Sequence, residues 1–232
     1  MNNIIWMCWF QGEDDKFMPE LNRLCFKNWK ELNSDYCVNI LTHDTISDFV
    51  PEYFEIIKNS PNRSYASKSD LLRILLLSKF GGTWVDGSVY PMEPLAKFHN
   101  KILNDTGFFA YRTFQYSKKD CVTSSWFLVV DKKEHYLVER WKSEFIRKFM
   151  ADDEWPSKGG NIRNGYFTFH NTLAELYTSD QKISDVIDNM VQIDTKIPHS
   201  ASRGGRRWWK FTKPSFVYKR PNIKFVIHNE KK

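Results

Sequence analysis

The stretch ASKSDLLRILLLSKFGGTWVDGSVYPMEPL, residues 66–95, decides the fold because it joins a helix to a strand through a pair of glycines. Six of the seven residues at 71–77 are leucine or isoleucine, which predicts a helix that is buried over most of its surface. Gly81 and Gly82 end this helix, and the apolar strand that follows stops at Asp86. Ligands of open α/β sheets bind where strands end, so we expect a binding site at Asp86.

Two charged residues, Asp70 and Arg73, lie one turn apart within this apolar helix. Charged side chains are rarely buried unless they are paired or functional. A guanidinium group offers fixed donors to phosphate oxygens, and a carboxylate accepts hydrogen bonds from sugar hydroxyls. We therefore expect a site for a phosphate-bearing sugar, with a purely structural ion pair as the alternative. Ser67 or Ser69 is expected to cap the N-terminus of the helix.

The rest of the chain alternates between strand and helix signals, which is typical of an α/β domain. The apolar runs at 4–10 and 36–41 are predicted to be neighbouring parallel strands, separated by an amphipathic helix at 19–32. Further strands are expected at 107–112, 126–130 and 222–228, and further helices at 134–150 and 165–177.

The composition of the 232 residues suits one domain with a substantial core. No apolar run reaches the length of a membrane span and residues 2–3 are not a basic leader, so we expect neither a transmembrane helix nor a signal peptide. The cysteines have no CxxC spacing, which predicts reduced core residues and a cytoplasmic location. These cysteines are Cys8, Cys25, Cys37 and Cys121.

The positive charge is concentrated at the C-terminal end of the chain. Residues 196–232 hold eleven Lys and Arg and one acid, whereas the preceding residues hold 23 bases and 27 acids. This distribution excludes a generally basic nucleic-acid-binding surface and indicates one localised anion site or membrane-facing patch. Its densest part, RGGRRWWK at 203–210, suits a diphosphate, an anionic lipid surface or a single-stranded nucleic acid. A solvated basic loop is the alternative.

Several motifs, in order along the chain, resemble one family of enzymes. The opening strand and turn IIWMCWFQG (4–12), the motif SDLLR (69–73) and the motif GGTWVDGSV (81–89) are followed by TSSWF (123–127) and YFTFH (166–170). With these motifs in this order, the chain resembles the capsular polysaccharide synthesis proteins and a wider group that includes certain mannosyltransferases and the clostridial glucosylating toxins. The resemblance implies the glycosyltransferase-A fold, an α/β fold with a mixed, mostly parallel, Rossmann-like sheet flanked by helices.

The resemblance also implies how one glycosyltransferase domain over residues 1–232 is divided. Its donor-binding half covers about 1–95, its acceptor-side half covers about 96–195, and the basic C-terminal segment covers 196–232. The late part of such enzymes commonly closes over the donor diphosphate, so the resemblance favours a lid for the basic segment. Peripheral contact with a membrane is the alternative.

The resemblance assigns catalytic roles to three residues, Asp86, Asp70 and Arg73. By this resemblance, Asp86 would contact the donor and support a divalent metal, with Mn²⁺ favoured and Mg²⁺ as the alternative. Asp70 and Arg73 match residues that bind the donor hexose and its phosphate. Ser88 stands where many relatives carry a second metal-binding Asp, and a neutral hydroxyl is a weaker ligand. We therefore expect weaker metal binding, or partial replacement of the cation by the basic segment.

Further donor-binding residues come from the other motifs. Trp6 matches a ring that stacks on the nucleobase in the toxin relatives, with a core tryptophan as the alternative, and Gln11 belongs to the same opening motif. Ser124 and Ser125 stand where related enzymes place small polar residues beneath the donor sugar.

The resemblance to glycosyltransferase-A enzymes also implies that a histidine late in the chain completes the metal or diphosphate site. His228 follows the apolar run FVI at 225–227, and Lys231, just beyond it, is predicted to bind the donor. His199 is the alternative metal ligand, and His170 is the third candidate.

Together these motifs predict an enzyme, a glycosyltransferase that moves a sugar from a nucleoside-diphosphate sugar to a glycan or a lipid-linked glycan. A UDP-sugar is the favoured donor, and the related families imply metal assistance and retention of the anomeric configuration. No nucleic-acid partner is expected. Two alternatives stay open: a non-catalytic nucleotide-sugar-binding domain in which Ser88 marks lost metal binding, and a nucleic-acid-binding module that uses residues 203–210.

Overall fold

The computed structural model describes residues 3–114, 122–151, 167–199, 215–221 and 226. Strands and helices are interspersed along these residues, as expected for an α/β domain. The strands are β1 (Ile4–Cys8), β2 (Cys37–Leu41), β3 (Gly82–Val85), β4 (Val89–Pro91), β5 (Phe108–Arg112), β6 (Thr123–Val130) and β7 (Val217–Lys219). The α-helices are α1 (Glu20–Leu32), α2 (Glu52–Lys58), α3 (Tyr65–Phe80), α4 (Leu95–Ile102), α5 (Tyr136–Met150), α6 (Thr168–Ser179) and α7 (Gln181–Asn189).

The central sheet has five strands in the order β2-β1-β3-β6-β5. β1 pairs in parallel with β2 and β3, whereas β6 is antiparallel to β3 and β5. Four of these strands therefore point the same way, which confirms the predicted mixed, mostly parallel sheet. Trp6 is in register with Trp84 across the β1–β3 pair. The ends of these two strands, at Cys8 and Val85, consequently meet at one edge of the sheet, where ligands of such sheets bind.

Helices cover both faces of the central sheet because side chains alternate between the faces along each strand. On β1, Ile5 and Met7 belong to an apolar cluster that includes Trp29 of α1 and residues of α4. Trp6 points to the other face and belongs to a second cluster with Leu75 of α3. The sheet is thus flanked by helices on both sides, as predicted.

Helix α3 is largely buried, as its apolar sequence predicts. Ser64, rather than the predicted Ser67 or Ser69, caps it: the Ser64 hydroxyl accepts a hydrogen bond from the Ser67 amide at 3.2 Å. Gly81 ends the helix with φ at 67°, a conformation that favours glycine. A Cβ atom on Gly82 would lie 2.7 Å from a backbone oxygen of β1. The glycine pair therefore turns the chain and lets β3 start in close contact with β1.

Strands β4 and β7 form a separate two-stranded antiparallel sheet. Val89 lies opposite Lys219, and the Arg220 amide donates a hydrogen bond to the Ser88 carbonyl oxygen at 2.8 Å. This pairing brings part of the basic C-terminal segment to the turn that follows Asp86.

The predicted closing strand at 222–228 lies outside the described residues except for Val226, which is helical and fully buried. Within the part of the chain that the structure describes, no helix is both long enough and apolar enough to cross a membrane.

Candidate functional site

A cavity of about 250 Å³ opens at the edge of the central sheet where β1 and β3 end. Helix α3, the turn after β3 and the end of β7 each contribute to its walls, and α1 and α6 add further side chains. The lining residues are Cys8, Trp9, Asn22, Ala66, Ser69, Asp70, Arg73, Trp84, Asp86, Gly87, Ser88, Ser125, His170, Lys219 and Arg220.

Asp86, directly after β3, accepts three hydrogen bonds. Its Oδ1 accepts from Arg73 Nη2 at 3.1 Å and from Trp84 Nε1 at 2.9 Å, and its Oδ2 accepts from Lys219 Nζ at 2.7 Å. Burial alone would raise the pKa of Asp86, but the charges of Lys219 and Arg73 outweigh it and lower the pKa to about 2. Asp86 is therefore ionised at neutral pH.

Arg73, from the middle of α3, lies between the two carboxylates of the cavity. Its Nη1 is 3.0 Å from Asp70 Oδ1 and donates to the Ser125 carbonyl oxygen at 3.0 Å, while its Nη2 binds Asp86. The guanidinium carbon also lies 5.2 Å from the centre of the Trp84 ring. Because the guanidinium group is planar, this arrangement fixes Asp70 and Asp86 relative to each other.

Asp70 shares Arg73 with Asp86 and has a different protonation behaviour. Burial raises the pKa of Asp70, the Arg73 charge lowers it and the Asp86 charge raises it, with a resulting pKa of about 7. The two carboxylates therefore differ near neutral pH, where Asp86 stays ionised and Asp70 takes up a proton. Carboxyl groups with such different environments suit different roles in one site.

Lys219 belongs to this site, although sequence reasoning did not identify it. The end of β7 carries it to Asp86, from which it is 133 residues away in the chain, and 5% of its side chain is exposed. Burial lowers the pKa of Lys219, and the Asp86 charge opposes that shift. No local pattern distinguishes this lysine, because it is one of eleven bases in residues 196–232.

His170, from α6, also lines the cavity. Burial and the Arg73 charge lower the pKa of His170 to about 4, although the Asp86 charge opposes them, so the imidazole is neutral at pH 7. His170 Nδ1 and Arg73 Nε are buried and have no hydrogen-bond partner among the described residues. Buried polar atoms usually have hydrogen-bond partners, so we expect a bound ligand to supply partners for these two atoms.

The structure brings several of the predicted site residues together and leaves Ser124 out. Asp70, Arg73, Asp86, Ser88 and Ser125 all line the cavity. Ser124 does not line it, because neighbouring residues of a strand face opposite sides of the sheet. Its hydroxyl is buried, with no hydrogen-bond partner among the described residues.

Trp6, for which the resemblance implies stacking on a nucleobase and for which a core tryptophan is the alternative, lies in the core. It is 1% exposed, its Nε1 donates to the Gly81 carbonyl oxygen at 3.0 Å, and its ring centre lies 5.2 Å from that of Phe49 and 5.4 Å from that of Phe80. Its ring therefore has no exposed face for a base. Trp9, in the same opening motif but beyond the end of β1, lines the cavity. The position at the strand end, rather than within the strand, provides the accessible indole.

The other predicted residues lie away from the cavity or outside the described residues. Gln11 is exposed in the turn after β1 and does not line the cavity. His199 packs edge-on against the Trp126 ring, with ring centres 5.8 Å apart, and does not line it either. His228 and Lys231 lie outside the residues that the structure describes.

The described residues of the cavity do not suit a divalent cation. Hard cations prefer several oxygen ligands, with carboxylates prominent among them. Here both oxygens of Asp86 already accept hydrogen bonds, one of them from the Lys219 ammonium group, and Ser88 offers a neutral hydroxyl. Across 3–114, 122–151, 167–199 and 215–221, no group of three or more His, Cys, Asp or Glu side chains is placed to hold a metal ion. The expected Mn²⁺ or Mg²⁺ stays a prediction.

Comparisons with known proteins agree with this architecture. The solved structure of the PaToxG glycosyltransferase resembles the chain with a TM-score of 0.50 at 17% sequence identity, covering 80% of this chain and 72% of that one. At this identity the likeness shows the fold alone, and it confirms the predicted fold.

Sequence comparison points to the same group of proteins. The initiation-specific alpha-1,6-mannosyltransferase of Saccharomyces cerevisiae is 30% identical over an alignment of 99 residues, and the match covers 39% of this chain and 20% of the yeast protein. The family described as capsular polysaccharide synthesis protein matches residues 1–204. That match includes Asp70, Arg73 and Asp86, and it confirms the family expected from the motifs. The chain belongs to the capsular polysaccharide synthesis protein family.

Proposed function

We propose that this protein is a glycosyltransferase that moves a sugar from a nucleoside-diphosphate sugar to a hydroxyl group of a glycan or a lipid-linked glycan. One observation carries the proposal: in a chain of this family, Arg73 is held between Asp70 and Asp86 in the wall of a cavity that also contains Lys219. This arrangement combines donors for phosphate oxygens with acceptors for sugar hydroxyls.

The polar groups of the cavity suit the separate parts of such a donor. Arg73 and Lys219 would bind the diphosphate, and the ionised Asp86 would accept a hydrogen bond from a ribose or sugar hydroxyl. Trp9 offers an indole to the nucleobase. An indole stacks on any base, so the preference for a UDP-sugar rests on the resemblance to the related families.

Transfer requires one bond to break and another to form at the anomeric carbon. The bond to the diphosphate oxygen breaks, and the diphosphate leaves with the bonding electrons. The acceptor oxygen bonds to the anomeric carbon and gives up its proton to a base or to water. Positive groups held beside the leaving diphosphate stabilise the charge that it gains. Retention of the anomeric configuration is proposed on the resemblance alone.

Binding of the donor tests this proposal directly. UDP-, GDP- and TDP-sugars would be added to the protein, with and without Mn²⁺, while thermal unfolding is followed. We expect at least one donor class to raise the Tm by about 3 °C or more, because a ligand that binds the folded state stabilises it. Asp86→Asn should abolish the shift. Asp44→Asn is the control, since 97% of that side chain is exposed. A panel without any shift would contradict the proposal.

A non-catalytic nucleotide-sugar-binding domain is the second candidate. Ser88 is the observation that favours it, because a neutral residue lies in the cavity wall at a position where, by the resemblance, many relatives carry a carboxylate. Hydrolysis of a donor in the absence of acceptor separates the two candidates, since a binding domain releases no nucleoside diphosphate. The nucleic-acid-binding alternative depends on residues 203–210, which lie outside the described residues, and it stays a prediction.

A further inference from the structure

The ammonium group of Lys219 occupies a position beside Asp86 that a divalent metal would need. Its Nζ lies 2.7 Å from Asp86 Oδ2, and 5% of the lysine side chain is exposed. Burial of an ammonium group is unfavourable unless the group is paired and hydrogen-bonded. A metal bound to the same carboxylate oxygen would displace Lys219 from Asp86 or be repelled by the ammonium charge at short range.

The backbone fixes the position of this lysine. Lys219 lies opposite Val89 in the β4–β7 pair, and the amide of Arg220 donates to the Ser88 carbonyl oxygen. The turn that carries Asp86 and the strand that carries Lys219 are therefore joined by backbone pairing. The ammonium group is built into the site by the fold.

The described lining of the cavity has a net positive charge without any metal. Among the residues that the structure describes, it contains two acids, Asp70 and Asp86, and three bases, Arg73, Lys219 and Arg220. Burial raises the pKa of Asp70 to about 7, which removes part of its negative charge near neutral pH. A concave site with an excess of positive charge concentrates anions, and a diphosphate carries more than one negative charge.

We infer that Lys219, together with Arg73, supplies the positive charge that binds the donor diphosphate, so that donor binding does not require a divalent metal. The inference rests on the proposed function, because it names the groups that hold the donor in the same site. An ammonium group has three N–H donors, so Lys219 can keep its bond to Asp86 and still donate to a phosphate oxygen. Ser88 is consistent with this role, because the site lacks the second carboxylate whose charge a metal would offset.

Titration calorimetry with UDP, GDP and TDP, in EDTA and then in Mn²⁺, tests the inference on the wild-type protein. The expected result is a nucleotide whose Kd differs by less than about threefold between the two conditions. Binding that requires Mn²⁺, with a Kd at least about tenfold weaker in EDTA, would overturn the inference but leave the proposed function intact. Absence of binding by every nucleotide in both conditions would overturn the proposed function and this inference with it.

Variants of Lys219 separate a diphosphate-binding role from a structural one. In EDTA, Lys219→Gln should weaken binding of the chosen nucleoside diphosphate at least about tenfold, whereas binding of the corresponding nucleoside without phosphates should not change. Lys219→Arg keeps the charge, and its Kd for the nucleoside diphosphate should stay within about threefold of the wild-type value.

Lys97→Gln is the matched control, because Lys97 is exposed on α4 and does not line the cavity. Equal affinity of the Gln variant and wild type for the diphosphate would overturn the inference. If Lys219→Gln fails to fold, the EDTA and Mn²⁺ comparison on wild type decides alone.

Discussion

Arg73 Nη1 lies 3.0 Å from Asp70 Oδ1, and the two side chains are nearly buried, with 5% and 11% exposed. The same guanidinium group also binds Asp86, which has Lys219 as a second cationic partner. Asp86 therefore has two neutralising partners and Asp70 has one that it must share. This inequality explains why the pKa of Asp86 falls to about 2 while burial raises that of Asp70 to about 7.

Arg73→Lys should separate donor binding from stability. Lysine keeps the positive charge but loses the planar fork, so it cannot serve Asp70, Asp86 and a phosphate oxygen together. We expect donor hydrolysis to fall by about a hundredfold or more, with a small change in the urea midpoint. Arg63→Lys is a matched control, because Arg63 is also buried but donates to the Phe149 carbonyl oxygen away from the cavity. Equal effects of the two variants on hydrolysis would indicate that Arg73 is structural.

The raised pKa of Asp70 predicts that the contribution of this residue to stability falls as the pH rises from about 4 to 7, whereas His170, with its pKa lowered to about 4, acts in the opposite direction up to about pH 6.5. Between about pH 4 and 7 the unfolded chain has released the Asp70 proton, since the ordinary pKa is 3.8, while the folded protein still binds it. Fewer protons bound in the unfolded state mean that the free energy of unfolding decreases with pH, by at most about 1.4 kcal/mol per pH unit. Asp86, with its lowered pKa, acts in the opposite direction between about pH 2 and 4.

Asp70→Asn removes this titration and provides the measurement. The free energy of unfolding of the variant, relative to wild type, should rise by about 2 kcal/mol between pH 5 and pH 7. Urea unfolding of both proteins at the two pH values measures the difference. A difference that is the same at both values would show that Asp70 has an ordinary pKa in the folded protein.

Ser88→Asp should create a metal site when Lys219 is also replaced. The new carboxylate would pair with the Lys219 ammonium group in the single variant, whereas Ser88→Asp with Lys219→Gln leaves two carboxylates, with Asp86, for the ion. We expect Mn²⁺ to bind the double variant at least about tenfold more tightly than the single variant, as measured by calorimetry. Lys219→Gln alone is the control. Equal Mn²⁺ affinity of the single and double variants would show that Lys219 does not compete with the metal.

The two tryptophans of the opening motif should respond to replacement in opposite ways. Trp9→Leu should weaken UDP binding about tenfold or more, because stacking on a base contributes about 1–3 kcal/mol, and should cost less stability than Trp6→Phe, because Trp9 is only partly buried. Trp6→Phe loses the hydrogen bond to the Gly81 carbonyl oxygen and leaves a gap in the core, so it should cost about 1–3 kcal/mol of stability. UDP binding by Trp6→Phe should equal that of wild type. Weaker UDP binding by Trp6→Phe, together with unchanged UDP binding by Trp9→Leu, would instead indicate that Trp6 stacks on the base.

The fold and half of the site could be predicted because their signals are local in the chain. The apolar run of α3, the pair Gly81 and Gly82, and the strand that is followed by Asp86 lie within one short stretch. The periodicity of apolar residues and the glycines that end helices predict such features directly. Asp70 and Arg73 were identifiable for a related reason, because a charge inside an apolar helix needs a partner.

The rest of the site depends on contacts between distant parts of the chain. Lys219 reaches Asp86 through the β4–β7 pairing, and no pattern within residues 196–232 reveals that register. Trp6 and Trp9 differ by their place on β1, where a residue within the strand packs into the core and a residue beyond its end reaches the cavity. The cap at Ser64 also shows that helix boundaries are the least certain feature of a sequence.

Release of nucleoside diphosphate from a sugar donor, in the absence of acceptor, tests the central claim most directly. The wild-type protein should release UDP, GDP or TDP from at least one nucleotide sugar, and Asp86→Asn should do so at least about a hundredfold more slowly with its circular dichroism spectrum unchanged. No release from any donor, or equal rates for wild type and a folded Asp86→Asn variant, would contradict the assignment of this cavity as the active site of a glycosyltransferase.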